Sequence, residues 1–398
     1  MTTHRALWLA AGLTAALPAA LSAQVALHAI FGTSPTDLWV VGDAPAALHW
    51  DGHAWAEVPF GVGHRGDLNG VWASWPRNVF AVGDGGTVLH YDGGAWSRMA
   101  VPTDHDLVAV TGRAAGDVYA LAQSSNDREA PQLLHYDGKT WTAAALPLPF
   151  RATAVALAGR EVVVAGFAYF DPQPTERRQA GVVARWSGGR WASAGWDGQK
   201  VGDPVAGAAG WTGLSGSGST LLLFGQREDG TGAIATSSGG AWTLLPPAAS
   251  AMSRTQVRAV FLAGDATPVA LYEEGGFARF TGGRWAVVSA QAAMMQMYGQ
   301  AQPGATPEQQ QAAAARQQQL MAQLQANPML MAVRMQAYNL NRTRGVWGAS
   351  AADFYVVTDE GRIVHVVGDE PTIVYDTACA DPANAGMNPI CQALQAKP

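Results

Sequence analysis

Residues 71–99, VWASWPRNVFAVGDGGTVLHYDGGAWSRM, form a stretch that the rest of the chain keeps rewriting. It divides into four short apolar or alternating runs, each closed by turn chemistry. Val71–Ser74 leads to Pro76-Arg77-Asn78, Val79–Gly83 to Asp84-Gly85-Gly86, and Thr87–Asp92 to Gly93-Gly94; the fourth run opens at Ala95-Trp96. Four strands meandering through tight turns within about 30 residues make one blade of a β-propeller.

The copies are marked by tryptophan. Trp55, Trp96, Trp141, Trp191, Trp242 and Trp285 follow one another at intervals of 41, 45, 50, 51 and 43 residues, a blade-sized period. Before each stands a hairpin turn: Asp51-Gly52, Asp92-Gly93, Asp137-Gly138, Ser187-Gly188, Ser238-Gly239 and Gly282-Gly283. These pairs supply the positive φ that a tight hairpin needs. A seventh copy, 346–375, lacks the Trp but keeps a second strand at 353–357 and a third at 361–367. The second strands Asp37–Asp43 and Asn78–Asp84 match closely, 117–121 is looser, and 162–166, 221–225 and 269–272 are looser still. All are nearly continuous in apolar residues, as strands buried on both faces between neighbouring blades should be. The expected fold is all-β: a seven-bladed β-propeller of four-stranded antiparallel blades over 24–376. A first strand near 25–31 and a last strand at 372–375 predict closure without strand exchange between the termini.

Residues 289–344, rich in Ala, Gln and Met, break the pattern between blades 6 and 7. Thr306-Pro307-Glu308-Gln309 is a helix start signal, with a cap residue, Pro at the first helical position and Gln three residues on. A helix to about Ala326, an interruption at Asn327-Pro328 and a second helix over 329–340 are expected. Seven of the 11 Met fall here: Met294, Met295, Met297, Met321, Met329, Met331 and Met335. Thioethers can select Cu(I), but without accompanying His or Cys the cluster reads better as an apolar docking face.

Met1–Ala23 has the three parts of a secretory signal: a weakly basic start, the apolar run Ala6–Leu17 and the small-residue region Pro18–Ala23. It predicts a periplasmic or secreted protein, and no later stretch is long and apolar enough to span a membrane. In that setting Cys379 and Cys391, the only two cysteines, are expected to form one disulfide in a tail over 377–398. A net charge of −6 offers no basic surplus for nucleic acid.

The run Val-Trp-Ala-Ser…Asn-Val-Phe-Ala-Val-Gly-Asp-Gly-Gly-Thr-Val-Leu-His-Tyr-Asp-Gly-x-x-Trp resembles exported bacterial propellers grouped as WD40/YVTN/BNR-like, and those related to photosystem II assembly factors. The resemblance covers about 25–375 and implies a propeller used as a binding or assembly platform. A sialidase Asp-box does not fit, because Asp137 to Trp141 spans one position too few.

In such a blade the loops joining strands two and three share a face with the connectors between blades. Every long excursion falls on that face: 123–132, 167–180, 226–232, the connector 197–210 and the helical insert. Binding residues gather on loops held by a rigid scaffold. The candidate partner-binding residues there are Asp127, Arg128, Glu129, Asp171, Arg177, Arg178, Arg227, Glu228 and Asp229, whose paired guanidinium groups suit a carboxylate-bearing partner. A protein partner is the first expectation and a glycan the second. The alternative is a carbohydrate-active hydrolase or lyase using Asp127, Asp171, Asp229 or Glu273, which would need two carboxylates about 5–9 Å apart. His49, His90, His135 and His365 take the same third-strand position in four blades, which predicts a repeated structural hydrogen bond and no metal site. Asp43, Asp84, Asp359 and Glu273 end second strands, where turn-forming Asp bonding its own backbone is expected. No catalytic or cofactor motif is present: no Gly-x-Ser-x-Gly with partners, no zincin helix and no phosphate loop.

Overall fold

A computed structural model describes residues 25–43, 46–61, 66–126, 129–147, 149–173, 176–187, 190–194, 208–227, 229–239, 241–247, 256–264, 266–273, 275–289, 329–380, 388–395 and ten positions within 306–322. The signal-like segment 1–23 and Met294, Met295, Met297 and Met321 lie outside them. The described chain forms seven four-stranded sheets, each built from four consecutive antiparallel strands. These blades span 27–59, 68–98, 106–145, 151–194, 208–244, 257–288 and 343–376. First strands of successive blades touch one another, and that of blade 7 touches that of blade 1, closing a ring. Both termini keep complete blades, as the sequence indicates.

The second strands show why the ring holds. Asp37–Gly42 and Asn78–Gly83 are buried at every position, because a strand between two blades has no solvent face. Seven apolar clusters form, one at each junction; Trp39, Val41 and Ala47 of blade 1 meet Val71, Val79 and Leu89 of blade 2 in one of them. Burying a side chain of the size of Phe80 contributes roughly 1.5–3 kcal/mol.

The repeated Trp pairs across its hairpin with the aromatic residue that precedes the turn. Trp50 with Trp55, Tyr91 with Trp96, Tyr136 with Trp141, Trp186 with Trp191 and Phe280 with Trp285 place ring centroids 5.0–5.6 Å apart. Directly opposed aromatics of this kind stabilise a hairpin and fix its register. Between them, Asp92 Oδ1 accepts from the N–H groups of Gly94 and Ala95, and Gly93 takes φ 96°. Asp51 and Asp137 repeat that turn.

Among its described residues the insert carries helix in two places. Those of 307–322 that are described are helical, with the Gln310 N–H bonded to the Thr306 carbonyl. Helix α1, Met329–Ala337, precedes blade 7. Ala337 and Leu340 enter the cluster between blades 6 and 7, together with Ile390 of α2, Pro389–Gln395. Cys379 and Cys391 are joined in a disulfide that holds α2 to the end of blade 7. Thr377 Oγ1 accepts from the Val25 N–H at 3.1 Å, so the tail also latches the first described residue.

Two expectations are corrected. Residues 167–180, read as a loop, belong to a long two-stranded ribbon, Glu161–Gln173 paired with Glu176–Ser187. The antiparallel pairing runs from Val162 opposite Trp186 out to Gln173 opposite Glu176. Second, Asp43, Asp84, Asp359 and Glu273 do not place their side chains on their own turns; their partners are described below.

Candidate functional site: the channel mouth on the long-loop face

First strands lie innermost and line the central channel. Each carries a β-bulge in its first half, seen as a register shift between Leu27 and Ala29, Leu68 and Gly70, Val257 and Ala259, and Thr343 and Gly345, with equivalents in the other three blades. A bulge leaves one residue out of the ladder and re-aims its side chain. Those residues are His28, Asn69, Val108, Thr153, Thr212, Arg258 and Arg344, a ring at the mouth that shares its face with the blade connectors.

In four consecutive blades the re-aimed residue meets the acid that ends the second strand. Arg258 Nη2 donates to Glu273 Oε1 at 2.5 Å in blade 6. In blade 7, Asp359 accepts from Arg342 Nε at 2.6 Å and from Arg344 Nη2 at 3.4 Å. His28 Nε2 lies 3.1 Å from Asp43 Oδ1 in blade 1, and Asn69 Nδ2 donates to Asp84 Oδ1 at 2.9 Å in blade 2. Asp359 is 16% exposed while Arg342 and Arg344 are more than half exposed. Two guanidinium groups thus share one carboxylate and keep N–H donors facing solvent. Blades 3, 4 and 5 carry Val108, Thr153 and Thr212 at the same height, so the charged and amide members of this ring fall in blades 6, 7, 1 and 2. The spacing from re-aimed residue to acid is 15 residues in all four of these blades, a periodic signal carried by the sequence itself.

Of the nine candidates from the sequence, the six that are described belong to blades 3 to 5. Asp127, Arg128 and Glu228 lie outside the described residues. Asp171, Arg177 and Arg178 are placed by their backbones on the blade 4 ribbon. Glu129, in blade 3, accepts from Asn126 Nδ2 at 3.1 Å and lies 3.7 Å from His105 Nε2. Hydrogen bonds with Ser124 and Asn126 hold its carboxyl below the usual range. Arg227 closes the blade 5 second strand through its backbone N–H to the Thr231 carbonyl. Asp229 is engaged by the hydroxyl and N–H of Thr231, which lower its pKa. Of the carboxylates a hydrolase would use, Asp229 and Glu273 have described side chains; they stand in different blades, each engaged by a local partner. Among the described residues no group of three His, Cys, Asp or Glu is placed to hold a metal.

The histidines do what their repetition implies. His49, His90, His135 and His365 donate through Nε2 to Asp37, Asn78, Asp117 and Asp353 at 2.6–2.8 Å. Each ring packs on the aromatic residue two positions further along the second strand: Trp39, Phe80, Tyr119 and Tyr355. These sets stand at the short-loop end of the blades, where they tie strand to strand.

No family model and no curated protein matches the sequence. Solved structures match the fold. YCF48 bound to a D1 peptide aligns with a TM-score of 0.54 and 12% identity over 87% of this chain and 93% of that one. The WD40 propeller domain of Doa1 gives 0.52 and 11% over 86% and 92%. Hydrazine synthase from Kuenenia stuttgartiensis gives 0.53 and 9% over 91% and 98%. At 9–12% identity these likenesses show the fold alone, and function rests on the chain's own surfaces.

Proposed function

We propose that this chain is an exported, non-enzymatic platform that binds a protein partner through the face bearing its blade connectors and long loops. The observation that carries the reading is the one-sided mouth: Arg258, Arg342, Arg344 and His28 on a rigid arc, opposite the ribbon and loops of blades 3 to 5. Guanidinium groups with unfilled donors suit carboxylates on a partner, and a polypeptide can reach the rim and the loops together. The opposite face has short connections, 76–77 in blade 2 and 263–267 in blade 6. A structural neighbour bound to a peptide supports a protein as the partner class, and the signal-like Met1–Ala23 supports the periplasm or the exterior.

The test is capture from the exported fraction of the source cells with three baits. They are the unaltered chain, the Arg342→Glu/Arg344→Glu variant, and a chain lacking 290–328, a deletion that spares α1 and its core contacts. A specific protein retained by the first bait and lost from the second supports the reading. Equal capture by the first two baits would refute it.

A further inference from the structure

We infer that the blade 7 sector of the rim is a receptor for one isolated carboxylate, with Asp359 as its positioning residue. Its role rests on the partner-binding face proposed above, and it fixes the chemistry that the partner presents there. Charge is balanced differently from blade to blade along the rim. Blade 6 sets one guanidinium, Arg258, against one carboxylate, Glu273. Blade 1 sets an imidazole, His28, against Asp43, and blade 2 a neutral amide, Asn69, against Asp84. Blade 7 sets two guanidinium groups, Arg342 and Arg344, against the single Asp359. Of these four pairings it alone has positive charge to spare.

Burial orders the three groups. Asp359 is 16% exposed, against 42% for Glu273 and 43% for Asp43, and its N–H is tied to the Arg342 carbonyl. The bulge at Arg344 lets two residues of one strand entry reach the same acid. Asp359 Oδ1 accepts from Arg342 Nε and Oδ2 from Arg344 Nη2. Both NH2 groups of Arg342, and Nε and Nη1 of Arg344, have no partner among the described residues. An incoming carboxylate therefore meets donors already held side by side, which lowers the ordering cost of binding. Guanidinium–carboxylate pairs are also among the stronger hydrogen bonds. The surroundings limit the ligand to a single charge. Glu360 follows in the chain, its partner Arg362 shared with Asp376, while Glu273 and Asp43 flank the sector in blades 6 and 1. A run of acids or a phosphate dianion laid there brings its further charge against these carboxylates, and like charges repel. One carboxylate is what the surplus matches.

The arginine Nε–H signals of the isotope-labelled full chain, assigned with Arg342→Lys and Arg344→Lys, report the contact by NMR. Three peptides are titrated: acetyl-Ala-Ala with a free C-terminus, acetyl-Ala-Glu-Ala amide, and acetyl-Ala-Glu-Glu-Glu-Ala amide. Saturable shifts at Arg342 and Arg344 are expected with a single-carboxylate peptide, and which of the two responds tells a main-chain carboxylate from a side-chain one. The triple-acid peptide is expected to bind no more than about threefold tighter, the factor that three equivalent groups supply. Asp359→Asn is the deciding variant, because it removes a negative charge beside the ligand. Attraction of charge alone predicts tighter binding, whereas loss of positioning predicts affinity lower by at least about threefold. Should Asp359→Asn disturb backbone amides outside blade 7, Asp359→Glu takes its place; it keeps the charge, shifts it by one methylene, and is expected to weaken binding likewise. The inference is overturned by no saturable shift with either single-carboxylate peptide, by a smaller loss or a gain in the Asp359 variant, or by tighter binding of the triple acid than that factor. Capture abolished in Arg342→Glu/Arg344→Glu alongside unchanged peptide binding in Asp359→Asn would leave the proposed function standing and remove this receptor alone.

Discussion

Blades 7, 1, 2 and 3 hold their hairpins with one device, and blades 4, 5 and 6 have abandoned it. In the first group an imidazole on the third strand bonds an Asp or Asn that opens the second, within a single blade. In blade 4 the same place belongs to Arg185, which bonds Glu161 in its own blade at 2.8 Å and Ser237 in blade 5 at 3.2 Å. In blade 6 it belongs to Arg279, which crosses to blade 7 and bonds the Ala351 and Gly368 carbonyls and Asp369. Arg113 makes a similar crossing from blade 3 to blade 4. In blades 4 and 6 an arginine at the place of the histidine ties the blade to its neighbour. The long guanidinium reaches what an imidazole cannot.

That contrast can be broken in several places. The largest effect is expected at Trp39, fully buried between blades 1 and 2 and stacked on His49. Trp39→Ala should cost about 3–5 kcal/mol, read by chemical denaturation. Replacing both Cys379 and Cys391 by Ala should cost about 3 kcal/mol by releasing the tail loop. The loss should appear first as faster amide exchange in blade 7, whose last strand the tail covers. Arg279→Met should cost about 2 kcal/mol, because two carbonyls lose a charged donor at a junction. Arg258→Met, on the exposed rim, should cost less than about 1 kcal/mol. Equal costs for the two arginines would remove the distinction between a strap and a rim pair.

The smallest effect is one of pH. Burial pushes the His90 pKa down, partly offset by Asp92. A histidine with a lowered folded pKa contributes stability that is present above about pH 6.5 and lost as pH falls through 6.5 toward the folded value. Denaturation midpoints should therefore decline from pH 7.5 to 5.5, and His90→Gln should flatten part of that decline.

The sequence makes the architecture legible because packing between blades imposes it at every repeat. The Asp-Gly turns, the second strands and the recurring His each signal a local requirement that the structure meets. The rim was hidden for a physical reason. A bulge displaces one residue from the ladder, and Arg258 or Arg344 looks like any exposed strand residue until its acid, 15 positions on, is brought beside it. Asp171, Arg177 and Arg178 read as loop residues in the sequence, because nothing in 167–180 reports that a hairpin outgrows its sheet.

The central claim concerns which face meets the partner, and amide exchange on the complex with the captured protein tests it most directly. The account predicts protection at Arg258, Arg342, Arg344 and the 124–131 loop, with Trp75, Arg77 and the 263–267 turn unchanged. Protection confined to the latter group would contradict it.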